Sequence, residues 1–384
     1  FLSVTTDWPD PNLHPTITRC SQLKALVLNF TKSERHLHIQ KGEFNFRRLY
    51  QLEELAIKDS TYQFCIFKNI SCLQRLKKLY LKLPAHSTSL YTHEILEAIA
   101  KLPKLQFLKV ESDSPSILKT LNFVVNLHNL QNLELIMIPQ ELLVNRSWDL
   151  ACIANLGNLK TLSIEAPQNN KLENILQALA HKENLEQLKI SNILADEKGD
   201  QLACLINKME KLHTLTLEHI SGDLYSNLFD NLDLQLTMFS LKISKSLPAE
   251  ALKSLISFLN KQHNLTHLGM DIHEPGDEFL EVFKTAISQN CRLNSFEIRI
   301  ESTTKDKNLI NFSELFSIIS VIPHLKKLEF CIWKKDLSLA ELIDILFGLR
   351  KIPKADIFIF KALMTNINYS GFENVLSFAS GIDR

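Results

Sequence analysis

The chain has 384 residues, 45% hydrophobic and 22% charged, with Lys plus Arg and Asp plus Glu equal at 43 each and a formal net charge of zero. That balance offers no global attraction to nucleic acid or to an anionic membrane and speaks against a nucleic-acid binder. No apolar run reaches the roughly 18 residues that cross a bilayer, so no membrane insertion is expected. Residues 1–20, FLSVTTDWPDPNLHPTITRC, lack the charged, apolar-cored pattern of a secretory signal. Because the chain starts at Phe1, an upstream part carrying a further module or a targeting signal is one expectation.

In chain order, the recurring element is an apolar signature, LxxLxL. Its first spacing of three suits a helix end or tight turn, and its final spacing of two suits a strand with one buried face. The stretch NLHNLQNLELIMI (126–138) shows it in Leu130, Leu133 and Leu135. Copies begin at Leu23, Leu52, Leu76, Leu105, Leu130, Leu159, Leu185, Leu212, Met238, Leu265, Leu293, Leu325 and Ala355, 24 to 32 residues apart. The ninth copy is read as Met238, Leu241 and Ile243, and the thirteenth as Ala355, Phe358 and Phe360. Amphipathic stripes lie between copies at 92–100, 172–180, 248–259, 277–287, 312–320 and 338–348. Pro248 suits a helix start, Ser338 with Glu341 forms a capping box, and Pro103 and Pro323 stop helices. Each repeat therefore reads as strand, loop, helix and return turn.

This pattern resembles the leucine-rich-repeat family in its longer, helix-containing, ribonuclease-inhibitor-like form, from about residue 21 to 360. The resemblance implies an α/β solenoid, a horseshoe of about 13 repeats with a parallel β-sheet on the concave face and helices on the convex face. Residues 1–20 are then an N-terminal cap, 21–360 the solenoid and 361–384 a C-terminal cap, with Trp8 at one end and Phe372, Val375, Leu376 and Phe378 at the other. One departure stands out. The family's usual Asn, eight residues after the first Leu, is replaced by residues such as Thr31, Asp113, Ile220, Glu301 and Trp333, so other groups must satisfy the backbone at that bend.

The seven cysteines are scattered, with no CxxC pair, and neither end shows a disulfide cluster; a reduced, intracellular and cytoplasmic setting is expected. The N-x-S/T sequons, such as those at Asn29 and Asn264, carry little weight in a chain this rich in Asn, Ser and Thr. Chemistry has little foothold. None of the nine glycines forms a phosphate-binding loop, and no nucleophile elbow stands out. His263, His267 and His273 with Asp271 are the densest candidate for zinc, but alternate strand positions are polar on any such surface, and no metal site is assigned. No catalytic residue, cofactor or enzyme activity is expected.

Function must then be read from the outward strand positions. Near the amino end these include Lys58, Lys78, Tyr80, Lys82, Phe107 and Lys109; Lys189 lies in the middle, and His267 and Asp271 lie toward the carboxyl end. Tyr and Phe among lysines fit an interface anchor, although any strand surface in such an array needs polar residues. The face is read as running from basic and aromatic to mixed and acidic. The expected function is a monomeric, non-enzymatic scaffold binding a protein partner on the concave sheet. The Lys-, Asn-, Ile- and Phe-rich wording resembles leucine-rich-repeat effectors of intracellular bacterial pathogens, which act in the host cytosol. The alternatives are the recognition domain of a larger intracellular adaptor, either an F-box ubiquitin-ligase subunit or a nucleotide-switch immune receptor, and a glycosylated extracellular receptor domain.

Overall fold

The computed structural model describes residues 1–7, 16–17, 19–31, 46–58, 69–83, 89–112, 122–137, 150–194, 199–220, 222–243, 247–273, 276, 278–290, 292–302, 311–334, 339–352 and 357–364. The chain divides into two compact units, Phe1–Leu194 with Lys208–Lys211, and Ala195–Asn207 with Leu212–Arg384. Both have the leucine-rich-repeat architecture of strands stacked in parallel and in sequence order, with helical segments between them.

In the first unit the strands are β1 (Leu2–Asp7), β2 (Ala25–Thr31), β3 (Glu54–Lys58), β4 (Lys78–Leu83), β5 (Phe107–Ser112), β6 (Asn132–Met137), β7 (Thr161–Lys171) and β8 (Gln187–Leu194). The pairings put like positions of the signature side by side: Leu55, Leu79, Leu108, Leu133 and Leu162 form one row, and Ile57, Leu81, Val110, Leu135 and Ile164 the next. All ten are at most 4% exposed. A fully buried aliphatic side chain is worth about 1.5–3 kcal/mol relative to leaving it in water, so these rows supply much of the cohesion. Strand β1, inside the segment read as a cap, pairs with β2 and extends the sheet by one strand.

The repeat of this unit is longer than LxxLxL. Leu49, Leu73, Leu102, Leu127 and Leu156 precede five of the signatures by three residues and are buried. Their carbonyls accept the N–H of the signature's first leucine, as in Leu52 to Leu49 (3.0 Å) and Leu130 to Leu127 (2.9 Å). These tight turns follow short 3-10 segments at Phe46–Arg48, Ile70–Cys72 and Ala151–Asn155; α-helices occur at α1 (Ser89–Ala100) and α2 (Leu172–Leu179). Several repeats therefore have a 3-10 turn where a helix was expected.

The second unit contains β9 (Thr214–Glu218), β10 (Met238–Ile243), β11 (His267–His273), β12 (Ser295–Ser302), β13 (Lys327–Lys334) and β14 (Ile357–Met364). Its helices are α3 (Gly199–Asn207), α4 (Gly222–Asn231), α5 (Ala249–Lys261), α6 (Glu278–Gln289), α7 (Phe312–Ser320) and α8 (Leu339–Leu349). Each strand here is preceded by an α-helix, and aromatic rings fill the space between the layers. Phe229 stacks on Phe258 (5.4 Å between centroids), Phe239 meets Phe258 at 5.3 Å, and Phe316 meets Phe330 at 5.1 Å. A Cβ on Gly348 would stand 2.2 Å from Phe316 Cδ2, so that glycine permits the close approach of α8 to α7.

The ninth signature needs correction. Met238 pairs with Thr214 and His267, faces outward and is 38% exposed. The positions equivalent to Leu212, Leu215 and Leu217 are Leu236, Phe239 and Leu241, two residues earlier than the Met238, Leu241 and Ile243 reading; Ile243 is buried as well. In the thirteenth, Phe358 pairs with Leu328 and Phe360 with Phe330, as the signature requires, while Ala355 lies outside the described residues. Trp8, Ser338 and residues 365–384 lie outside the described residues.

Buried amides bridge repeats in the second unit. Gln262, 1% exposed, accepts the Leu236 N–H at 2.9 Å and donates to Leu234 O at 3.0 Å; Asn290, also 1% exposed, accepts the Leu265 N–H at 3.1 Å. They occupy the position held by leucine in the first unit. They satisfy the backbone at the start of the strand, whereas the family's asparagine would act at its end.

Candidate functional site

Alternation along each strand leaves one sheet face for the core and the other open. On the open face of the first unit, Lys58, Lys78, Tyr80, Lys82, Phe107 and Lys109 occupy adjacent outward positions of β3, β4 and β5. Tyr80 and Phe107 come together as a tilted pair with centroids 4.7 Å apart and planes at 36°, both rings half-buried. Lys58, Tyr80, Lys82 and Lys109 line a shallow depression of about 520 Å³ with Asn29 and Glu111.

The lysines are less free than a basic patch requires. Lys78 pairs with Glu54 at 2.7 Å, Lys82 with Glu111 at 2.8 Å and Lys109 with Glu134 at 2.9 Å. The hydrogen bond from Lys78 to Glu54 holds that amine above the usual lysine range. Outward positions of β3–β8 carry Lys58, Lys78, Lys82, Lys109 and Lys189 against Glu54, Glu111, Glu134 and Glu165. The face is thus close to neutral, with the aromatic pair standing among ion pairs. Lys189 projects from β8 beside Ser163. Ser191, two residues further along β8, is fully buried next to the register shift between Glu165 and Asn170.

The open face of the second unit carries His267 and Asp271 on β11. His267 Nδ1 lies 2.8 Å from Ser295 Oγ; burial pushes its imidazole below the usual range, with Glu297 pulling the other way. Asp271 pairs with Lys242 at 3.3 Å. Among the described residues no group of three His, Cys, Asp or Glu side chains could hold a metal. Glu329, 7% exposed, lies within 3.4–3.6 Å of Lys361, Lys327 and Arg299. Burial pushes its carboxyl up, but Lys361 and Lys327 outweigh that and hold it below the usual range.

Trp333, 48% exposed, stands outward on β13 beside Glu301 and was missed as an anchor because the two-residue alternation runs past the end of the signature. No helix of the described residues is long and apolar enough to cross a membrane, and Cys20, Cys72, Cys152, Cys204 and Cys331 are free thiols.

No family model and no curated protein matches the sequence. Among solved structures, the chain is similar to one from the crystal structure of the Rad7 and Elc1 complex in yeast, at 17% identity over 80% of both chains with a TM-score of 0.44.

Proposed function

We propose that the chain is a non-enzymatic recognition scaffold that binds a protein partner on the open faces of its sheets, with Tyr80 and Phe107 as the anchor in the first unit. The observation that carries this reading is their pairing, centroids 4.7 Å apart, at outward strand positions flanked by the Lys78–Glu54, Lys82–Glu111 and Lys109–Glu134 ion pairs. Aromatic rings at the centre of a patch ringed by satisfied charges match the anatomy of an interface hot spot, where the apolar centre supplies affinity and the rim excludes water. A broad, shallow surface of this kind suits another protein better than a small molecule. A leucine-rich-repeat effector acting on a host protein fits this scaffold role, supported by the Lys-, Asn-, Ile- and Phe-rich composition.

The test is affinity capture from eukaryotic cell lysate on the wild-type chain and on the Tyr80→Ala, Phe107→Ala double variant, with mass-spectrometric identification. A partner held by the wild type and lost by the double variant, whose circular dichroism is unchanged, is the expected result. An identical partner list for both contradicts the anchor.

A further inference from the structure

On the open face of the first unit the outward lysines are not equivalent. Lys78, Lys82 and Lys109 each hold a carboxylate of a neighbouring strand, at 2.7, 2.8 and 2.9 Å, and Lys189 is engaged as well. Lys58, exposed at the end of β3, has no partner among the described residues. Its neighbours explain why. Asn29 stands opposite it on β2, where a carboxylate would have closed the pair, and on the β4 side lies Lys82, itself held to Glu111. On β3–β8 the outward carboxylate without a partner among the described residues is Glu165, on β7. Four strand spacings of about 4.8 Å separate it from Lys58, beyond the screening length of about 8 Å at physiological salt.

The unpaired amine borders a hollow that holds other unmet donors. Lys58 lines the depression of about 520 Å³ together with Tyr80 and Asn29, and neither the Tyr80 hydroxyl nor the Asn29 amide makes a hydrogen bond among the described residues. Beside them lie the tilted Tyr80 and Phe107 rings. The other charges of the lining are settled in pairs, Lys82 with Glu111 and Lys109 with Glu134. A basic group entering the depression meets the Lys58 ammonium and finds no free carboxylate. An acidic group finds a cation and two neutral donors, the setting in which a carboxylate forms its stronger, charge-assisted hydrogen bonds.

Resting on the scaffold reading, we infer that the depression beside Lys58 receives an aspartate or glutamate side chain of the protein partner, next to an apolar residue that covers the Tyr80 and Phe107 rings. The carboxylate accepts from the Lys58 ammonium and supplies the charge that the neighbouring strands do not. The rings provide most of the affinity, whereas the carboxylate fixes the orientation of the segment and excludes basic alternatives. The feature recognised is an acidic residue beside an apolar one.

The experiment is a titration of the isotope-labelled full chain with N-acetyl-leucyl-glutamate methylamide, followed through the Lys58 and Tyr80 amide resonances, with the glutamine and lysine analogues as neutral and opposite-charge probes. Saturable shifts at both amides are expected with the glutamate probe, with the lysine analogue binding about tenfold more weakly and the glutamine analogue in between. Lys58→Glu should reverse that order. Because Lys58 is exposed and unpaired among the described residues, this variant should keep its fold, checked by circular dichroism. No response to the glutamate probe, equal binding of the three analogues, or an order unchanged in Lys58→Glu overturns the inference. The titration uses no lysate partner, so its failure, with capture still lost in the Tyr80→Ala, Phe107→Ala double variant, discards the acidic residue and leaves the scaffold reading standing.

Discussion

The two units reach the same architecture by different means. In the first, buried leucines turn the chain into strands β3 to β7 and accept the N–H of the signature's first leucine through their own carbonyls, with 3-10 segments in several repeats. In the second, α-helices precede every strand, phenylalanines fill the interlayer space, and the amides of Gln262 and Asn290 bond the backbone of the preceding repeat. Repeats turned by 3-10 segments are closed by aliphatic rows, whereas the helical ones add rings and amide bonds between repeats. Their open faces differ as well: one presents an aromatic pair among ion pairs, the other a polar notch over Gly269 and an exposed tryptophan.

The largest effect that would sharpen this contrast is on the aromatic core. Phe258→Ala removes a ring that touches both Phe229 and Phe239 and should cost about 3–5 kcal/mol, read as a fall in the denaturant midpoint. A loss under about 1 kcal/mol would show that the rings are not what holds the helical repeats. Gln262→Leu gives the second unit the first unit's residue. It orphans the Leu236 N–H and the Leu234 carbonyl, so a destabilisation of about 1–3 kcal/mol is expected in chemical denaturation. A neutral result would mean that the two turn designs are interchangeable.

Lys182 marks the place where the first unit departs from its own leucine rule. It is 3% exposed and donates to the carbonyls of Ala154 and Leu156, each at 2.8 Å. Burial lowers its amine from the ordinary 10.5 to about 8. Between those values the unfolded chain binds more protons than the folded one, so stability rises with pH across the window and is lowest below it. Denaturation at two pH values inside the window should show the rise in the wild type and a flatter profile in Lys182→Leu. The smallest effect is expected on the open face: Lys109→Ala breaks a half-buried, solvent-contacting pair with Glu134 and should change stability by less than about 1 kcal/mol in the same assay.

Much of this was legible in the sequence. The strands followed from a period of two that the signature repeats; the register was misread at Met238, where apolar residues on both sides of Leu236 and Phe239 allow two registers, and β1, which lies before the first signature, was not assigned. Helices α3 and α4 were not assigned; both begin with glycine, a poor helix former that Gly199 repays by packing against Asn227 and Leu224. The neutral character of the first face was available in the sequence, since Glu54 and Glu111 share outward strand positions with the lysines, but the ion pairs of Lys82 with Glu111 and Lys109 with Glu134 run between repeats and no single strand shows them. The amide bridges and the depression beside Lys58 depend on distances between repeats, which no local pattern contains.

The account's central claim is that recognition takes place on the open sheet faces. Its most direct test is site-specific photocrosslinking, with a benzophenone amino acid placed singly at Tyr80 or Trp333 on those faces, or at Val321 or Ile343 on the exposed helical side, and the full chain incubated with the captured partner. Crosslinks from a sheet-face position and none from Val321 or Ile343 are predicted; crosslinks confined to the helical positions would contradict the claim.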